Sequence, residues 1–320
     1  MNPSQAVPKT LFDFQQRFPT DAECEEFLIA WRWPEGFRCP RCGHDDAVKL
    51  RFRREFQCRR CEHQTSVTAG TAMHKSKVGL RKWFWAMFLV ARHKKSISAL
   101  QLQRDLGIGS YRTAWLLLHK IRASFDESPD FPLKGFVEVD ETLVGAKNKG
   151  DPASKAPGRK AIVVGAVALG SEAKSGRGHR WNGVRLQRVP DYSKESLGGF
   201  VRKNIECGAH LLTDGWSGYR DLPRTGYQRT IDVSSTYTRA QLRKLNPMRH
   251  VHLLFSNFKT WLTGRFHGVS HKYIGRYADE FVYRVNRRND PPKIFGWIAR
   301  RLMNRPHVSL AELKRSESSA

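Results

Sequence analysis

Apolar positions in the first part of the chain recur at helical spacing, and after residue 133 they change to the spacing of strands. Over residues 11–36 the stripe centres on Phe27, Leu28 and Trp31, with Thr20-Asp21 as its cap, which predicts one helix stopped by Trp33-Pro34-Glu35-Gly36. Residues 37–75 offer only short extended pieces such as 52–57. From residue 77, Trp83, Phe84, Met87, Phe88 and Val90-Ala91 form a second helical stripe, broken at His93-Lys94-Lys95. A helix capped by Ser98 fits 98–106, Gly107-Ile108-Gly109 makes a turn, and a further helix runs over 110–121. Residues 126–132 read as a linker.

Beyond it, 136–144 alternates with period two, and 161–169 is a continuous run of β-branched and small residues. A basic stretch rich in Gly, Pro and Lys separates them, at 147–160. Further strands are expected at 184–189 and 210–213 with a helix near 194–204 between them, and helices at 250–263, 273–287 and 293–303 close the chain. Strands with interspersed helices predict an α/β domain built on a mixed sheet, so the whole chain reads as an α+β multidomain protein. No internal repeat is visible.

Charge decides the class of partner. The chain of 320 residues carries 56 Lys+Arg against 30 Asp+Glu, a net +26 spread along its length, which attracts polyanions and makes nucleic acid the natural partner. No stretch approaches about 18 consecutive apolar residues, and residues 1–10 lack the apolar core of a secretory signal. The expectation is a cytoplasmic protein with no membrane partner. Four of the six cysteines fall into two tight pairs while Cys24 and Cys207 stand alone, a usage that suits a metal site in a reducing compartment better than disulfides.

The pairs are Cys39-x2-Cys42 and, fifteen residues on, Cys58-x2-Cys61. Each C-x-x-C lets two thiolates from one tight turn reach the same ion, and two such turns complete a closed tetrahedral Zn²⁺ shell, which is a structural site. His44 and His63 stand two residues beyond their pairs and read as solvated loop residues. The ribbon also presents Arg38, Arg41, Arg53, Arg54, Arg59 and Arg60, a set suited to phosphate. The helical segment after it has the proportions of a helix-turn-helix, with Ser110, Tyr111, Arg112 and Thr113 opening the helix that would enter a major groove. A plain three-helix bundle is the alternative, and the position directly behind a basic zinc ribbon favours DNA binding.

Carboxylates supply the catalytic candidates. Phe136-Val137-Glu138-Val139-Asp140-Glu141-Thr142 sets acidic residues inside an apolar strand, where an ionised carboxylate costs several kcal/mol unless a cation compensates it. Alternation puts Glu138 and Asp140 on one face and Val137, Val139 and Glu141 on the other, so Asp140 is the candidate ligand and Glu138 its support. Asp214 ends the apolar run His210-Leu211-Leu212-Thr213 and is followed by glycine. Two strand-end aspartates are what a two-Mg²⁺ phosphodiester site requires, one ion activating the attacking oxygen and the other stabilising the leaving one.

Taken together, the C-x2-C-x15-C-x2-C spacing, VEVDET, LLTDGWSGY, and HVHLLFSNFKTWLTGRFHGVS followed by EFVYRVNRR resemble the ISXO2-like transposases of the IS1595 group of insertion sequences, over about residues 14–301. The resemblance implies an RNase H-like catalytic domain that binds Mg²⁺ or Mn²⁺, nicks transposon ends and joins 3′-hydroxyls to target DNA. It carries the first two catalytic aspartates onto Asp140 and Asp214, the third position onto Asn257, and the accompanying lysine onto Lys259. On one helix Asn257 and Lys259 lie about 200° apart, Asn257 sharing its face with His250, Leu253 and Trp261, and Lys259 with His252, Ser256 and Thr263. An amide oxygen is a weaker ligand than a carboxylate for a hard cation. Glu280 is the rival third ligand and reads as a helix-surface charge. His267 either approaches phosphate or caps its helix, and Arg284, Arg287, Arg288, Arg300 and Arg301 either track a DNA backbone or form a solvated basic face.

The layout expected is an N-terminal helical segment (1–36), a zinc ribbon (37–76), a helix-turn-helix domain (77–126), an RNase H-like catalytic domain (133–304) and a disordered tail (305–320). The expected activity is transposition by a nucleoid-associated dimer or higher assembly on double-stranded DNA, at transposon ends and target. The rivals are a zinc-ribbon regulator without catalysis and a stand-alone metal-dependent nuclease.

Overall fold

A computed structural model describes residues 7–50, 53–93, 95–125, 131–145, 160–172, 179–232 and 248–316. The basic stretch at 147–160 falls almost wholly outside these residues. The chain forms two compact units, Met1–Ser124 with Asp290–Leu313, and Phe125–Asn289 with Lys314–Ala320.

The first unit opens with two helices, α1 (Leu11–Arg17) and α2 (Asp21–Arg32), where the apolar pattern predicted one. Pro19 disfavours helical backbone at Phe18, and each helix has its own capping box, Thr10 with Asp13 and Thr20 with Glu23. Three short strands, β1 (Ala47–Lys49), β2 (Glu55–Cys58) and β3 (Gln64–Ser66), make an antiparallel sheet in that order. Helices α3 (Leu80–Arg92), α4 (Ala99–Asp105) and α5 (Tyr111–Ala123) follow. Ser98 accepts from Gln101 N and caps α4 as expected, and Ser110 accepts from Thr113 N and caps α5. Gly107 takes φ +55° in the turn between them, a conformation glycine adopts without a Cβ penalty. The core here is aromatic: Phe14, Phe18, Phe27 and Phe84 are buried, with Phe18 and Phe84 ring centroids 4.8 Å apart.

The second unit is built on β4 (Phe136–Val144), β5 (Ala161–Glu172), β6 (His179–Val189), α6 (Lys194–Asn204), β7 (His210–Thr213), β8 (Gln228–Ile231), α7 (Arg249–Phe266) and α8 (Ile274–Asn286). Its sheet is mixed, in the order β6-β5-β4-β7-β8, with the β6–β5 and β5–β4 pairs antiparallel and the β4–β7 and β7–β8 pairs parallel. Period-two alternation sorts the side chains. Val137, Val139, Val164 and Ala166 pack with Leu197, Phe200 and Val201 of α6 on one face. Val163, Val167, Val184 and Leu186 pack with Val251, Leu254, Phe255, Phe258 and Phe281 of α7 and α8 on the other.

Two features of this sheet shape the surroundings of Asp140. Strand β4 has nine residues and β7 only four, and they pair at 136–138 alone, so β4 runs on past the end of β7 with that edge unpaired by any described strand. Opposite Asp140 on β5 stands Gly165, where a Cβ would meet the Phe255 ring at 2.4 Å. Glycine there lets α7 seat against the sheet beside Asp140.

The chain then returns to the first unit. Helix α9 (Pro291–Asn304) packs on α2 and α3, its Phe295 within 5.8 Å of Phe84 between ring centroids, and Ala72 N–H donates to Leu302 O at 3.1 Å. Residues 293–303 therefore do not close the sheet domain as their position in the sequence suggested. Nor is 305–320 structureless throughout, since α10 spans Leu310–Ser316. Glu280, expected at the surface, is fully buried and accepts from Arg284 Nε at 3.0 Å, because an (i, i+4) partner on α8 compensates it. Several arginines considered for DNA contact are engaged within the fold: Arg287 stacks over Tyr283, Arg288 lies over Trp181, and Arg301 donates to Ser124 O. No helix among the described residues is long and apolar enough to cross a membrane.

Candidate functional site

The cysteine centre is made by two matching turns. Cys39 N–H donates to His44 O and Gly43 N–H to Cys39 O; in the second turn Cys58 N–H donates to His63 O and Glu62 N–H to Cys58 O. Both use a left-handed residue, Gly43 at φ +75° and Glu62 at φ +54°, and the non-glycine in the second turn carries backbone strain. All four thiols are free of disulfides, with Cys39 and Cys61 Sγ 3.6 Å apart and Cys42 and Cys58 Sγ likewise 3.6 Å apart. A tetrahedron with Zn–S arms of about 2.3 Å has edges of about 3.8 Å. The four cysteines are thus positioned to hold one metal ion, and His44 and His63 lend backbone carbonyls rather than rings.

The carboxylate centre sits where β4 overruns β7. Asp140, Glu141 and Asp214 each offer an oxygen, and these atoms all lie within 4.8 Å of one another. Glu141 joins the cluster although alternation assigned it to the opposite face: with no strand among the described residues beside β4 beyond residue 138 on that side, carboxylates from both faces of β4 converge on the edge. Burial pushes Glu141 up to about 7 against the pull of the Tyr219 hydroxyl, which donates to its Oε2 at 2.7 Å, and the charges of Asp214 and Asp140 add to the rise. Asp214 is raised by burial and by Asp140, while Trp216 N–H, 3.1 Å from its Oδ1, and Arg229 oppose the shift. Arg229 of β8 fixes the backbone here, donating to Thr213 Oγ1 and Asp214 O, both at 2.8 Å. Gathering three acids in a half-buried place is unfavourable without a cation, which is the physical case that a divalent ion fits them.

Residues 132–286 match the family model described as the ISXO2-like transposase domain, and residues 19–64 match that of the transposase zinc-ribbon domain. Over these two stretches the chain is similar to a transposase zinc ribbon and to an ISXO2-like transposase domain. A curated relative, an uncharacterized protein in transposable element ISH50 of Halobacterium salinarum, is 31% identical over 136 residues, which span 42% of this chain and 45% of that protein.

Within the transposase domain, α7 is docked by its N-terminus and by one face. Glu138, 1% exposed, accepts from Val251 N–H at 2.8 Å and lies 2.6 Å from His250 Nδ1, so a buried carboxylate caps a helix start that has no side-chain cap of its own. His252 Nε2 stands 3.2 Å from Asp140 Oδ2, and Lys259 Nζ donates to Thr142 Oγ1 at 2.6 Å. Asp140 raises the His252 pKa chiefly through that hydrogen bond. Burial and the neighbouring Lys160 lower that of Lys259. Asn257 is exposed, about 140° around the helix from His252. The residues of α7 seen to meet β4 at the cluster are therefore His252 and Lys259. His267 ends α7 in a left-handed conformation at φ +54°.

Sequence reasoning missed Glu141, His252 and Tyr219. His252 falls on the Lys259 face of its helix by spacing, but nothing local ties that face to Asp140.

Proposed function

We propose that this protein is the transposase of an insertion sequence, binding DNA at the element's ends and cutting and joining phosphodiesters with divalent metal. The observation that carries the reading is the convergence of Asp140, Glu141 and Asp214 on one open strand edge of an ISXO2-like domain. A bound pair of Mg²⁺ or Mn²⁺ ions supplies Lewis-acid activation of the attacking oxygen and charge stabilisation of the leaving one. Asp140, within β4 beside its unpaired edge, and Asp214, just past the end of β7, would hold metal, and Glu141 would join them. At the third position the geometry favours His252 over Asn257, since His252 already touches Asp140. Lys259, held at Thr142, is placed to meet a backbone phosphate near the reacting one.

The sheet order, with three antiparallel strands followed by two parallel ones and helices on both faces, supports an RNase H-like fold. The cysteine centre takes structural Zn²⁺. Arginines of the ribbon and the α4–α5 pair, read as a helix-turn-helix, bind the terminal repeats, and the net +26 adds attraction to the backbone. Synapsis of two ends calls for a dimer or larger assembly in the cytoplasm, on the nucleoid.

The test is a duplex carrying the inverted repeat that borders the coding region, incubated with the protein and Mg²⁺ or Mn²⁺. Wild type should nick at the repeat and join the new 3′-hydroxyl to a second duplex. Asp214→Asn should bind the same DNA and do neither. Cleavage that persists in Asp214→Asn removes the metal assignment, and binding without any cleavage by wild type points to a regulator.

A further inference from the structure

Where β4 runs on beyond the carboxylate cluster, the second unit holds a cavity of about 460 Å³ of which the proposed chemistry uses Lys259 alone. Its lining mixes apolar, cationic and polar side chains, the last being Thr263 and His267. Val144, Leu262, Val269 and Ile274 give an apolar surface, and Lys160 and Lys259 add two cations. Both lysines line the cavity, and burial first, then the neighbouring Lys160, depresses Lys259 against the pull of Asp140, a like-charge pair that an anion between them would relieve. Lys259 also ties the cavity to the reaction centre, because the Thr142 hydroxyl it bonds belongs to β4 two residues beyond Asp140, about 7 Å along the strand.

An apolar chamber with paired ammonium groups, one strand step from a phosphodiester site, matches a particular ligand chemistry: a flat uncharged ring attached to a phosphate. The volume lies within the range of about 300–1,000 Å³ typical of ligand pockets. Stacked in a duplex, a base cannot present itself to such a chamber. Enzymes that do chemistry on a base extrude it into a fitted pocket, at least cost where the base is mismatched, damaged or already single-stranded.

We infer that this cavity receives one unstacked nucleobase of the DNA strand adjoining the phosphodiester at Asp140 and Asp214, with Lys160 and Lys259 on its phosphate. The inference rests on the proposed transposase reading. It makes the cavity a positioning device, because capturing the neighbouring base fixes the strand so that the scissile phosphate meets the carboxylate edge.

The experiment uses the full chain and the inverted-repeat duplex, with 2-aminopurine substituted in turn at positions flanking the nick, in Ca²⁺ buffer. Binding is followed by anisotropy and unstacking by the rise in 2-aminopurine emission. One position should brighten on binding. Thr263→Trp places an indole in the chamber from an exposed helix position, and should abolish the brightening while anisotropy and circular dichroism stay unchanged. Lys160→Ala should weaken it. Absence of DNA binding sinks the transposase reading and this inference with it. Binding with flat emission at every position, or brightening that survives in Thr263→Trp, overturns this inference alone.

Discussion

His252 Nε2 stands 3.2 Å from Asp140 Oδ2, joining the helix that covers the sheet to the strand that carries the first carboxylate. The contact fixes the rotation of α7. Seven residues on, Lys259 reaches Thr142 from the same stripe, so both ends of that stripe are tied to β4. Asn257 falls on another side of the helix.

That rotation separates two substitutions. His252→Ala should weaken Mn²⁺ binding to the transposase domain by about 10–100-fold, the range typical when a residue that ligates or orients a ligand is removed. Asn257→Ala should leave it within a factor of about two, by the same reasoning. Titration calorimetry on the zinc-loaded protein measures both. Equal losses, or the larger loss in Asn257→Ala, would return the third position to asparagine.

How far the sequence reveals this centre depends on what each residue needs. Strands β4 and β7 and helix α6 are legible to the residue, because alternation in β4, a short apolar run in β7 and helical spacing in α6 are local signals. Asp140 and Asp214 are legible for the same reason, as acids out of place in apolar strands. Glu141 is not, since its entry depends on β7 stopping short, a non-local fact of strand pairing. The division at α1 and α2 was hidden behind one continuous apolar stripe, although Pro19 and the two capping boxes record it. Strand β8, only four residues long and half exposed, carries too little pattern to be read.

The crowding of acids makes the metal-free protein pH-sensitive in a definite direction. Glu141 is pushed up from 4.5 to about 7, so between those values the folded protein keeps a proton that the unfolded chain has released. Its stabilising contribution is complete below about pH 4.5 and is lost as pH rises through about 7. Asp214 and His252 are raised as well and act with the same sign over their own ranges. Comparison with Glu141→Gln isolates the carboxyl: melting temperature between pH 4.5 and 7, in divalent-free buffer without chelator so that zinc stays, should fall less steeply in the variant. Parallel profiles would show that Glu141 titrates normally.

Gly165→Ala probes the seat of α7. A methyl group there would sit 2.4 Å from Phe255 Cε1 and 3.2 Å from Leu186 Cδ2, so the ring must shift and carry the helix with it. Overpacking of this kind typically costs about 1–3 kcal/mol. Urea unfolding should show a loss in that range, and Mn²⁺ affinity should drop because His252 moves away from Asp140. A destabilised variant with unchanged affinity would mean that the helix absorbs the methyl without moving its metal-facing stripe.

Removing one thiolate tests whether the cysteine centre is a structural one. Cys58 is fully buried, closes the second turn through its own backbone, and stands 3.6 Å from Cys42 across the site. The three strands of this sheet are three, four and three residues long, too short to persist on their own pairing. An ion held by the four thiols would therefore add folding energy to the ribbon, of the kind worth about 10–16 kcal/mol in isolated zinc-finger peptides. Cys58→Ser should lower zinc below one ion per chain by plasma emission, and amides of β1–β3 should lose protection from hydrogen exchange. Amides of β4 and β5, in the other unit, should keep theirs. Full zinc content in the variant would show that the fourth ligand lies elsewhere, and protected ribbon amides without zinc would show that the sheet holds by its own contacts.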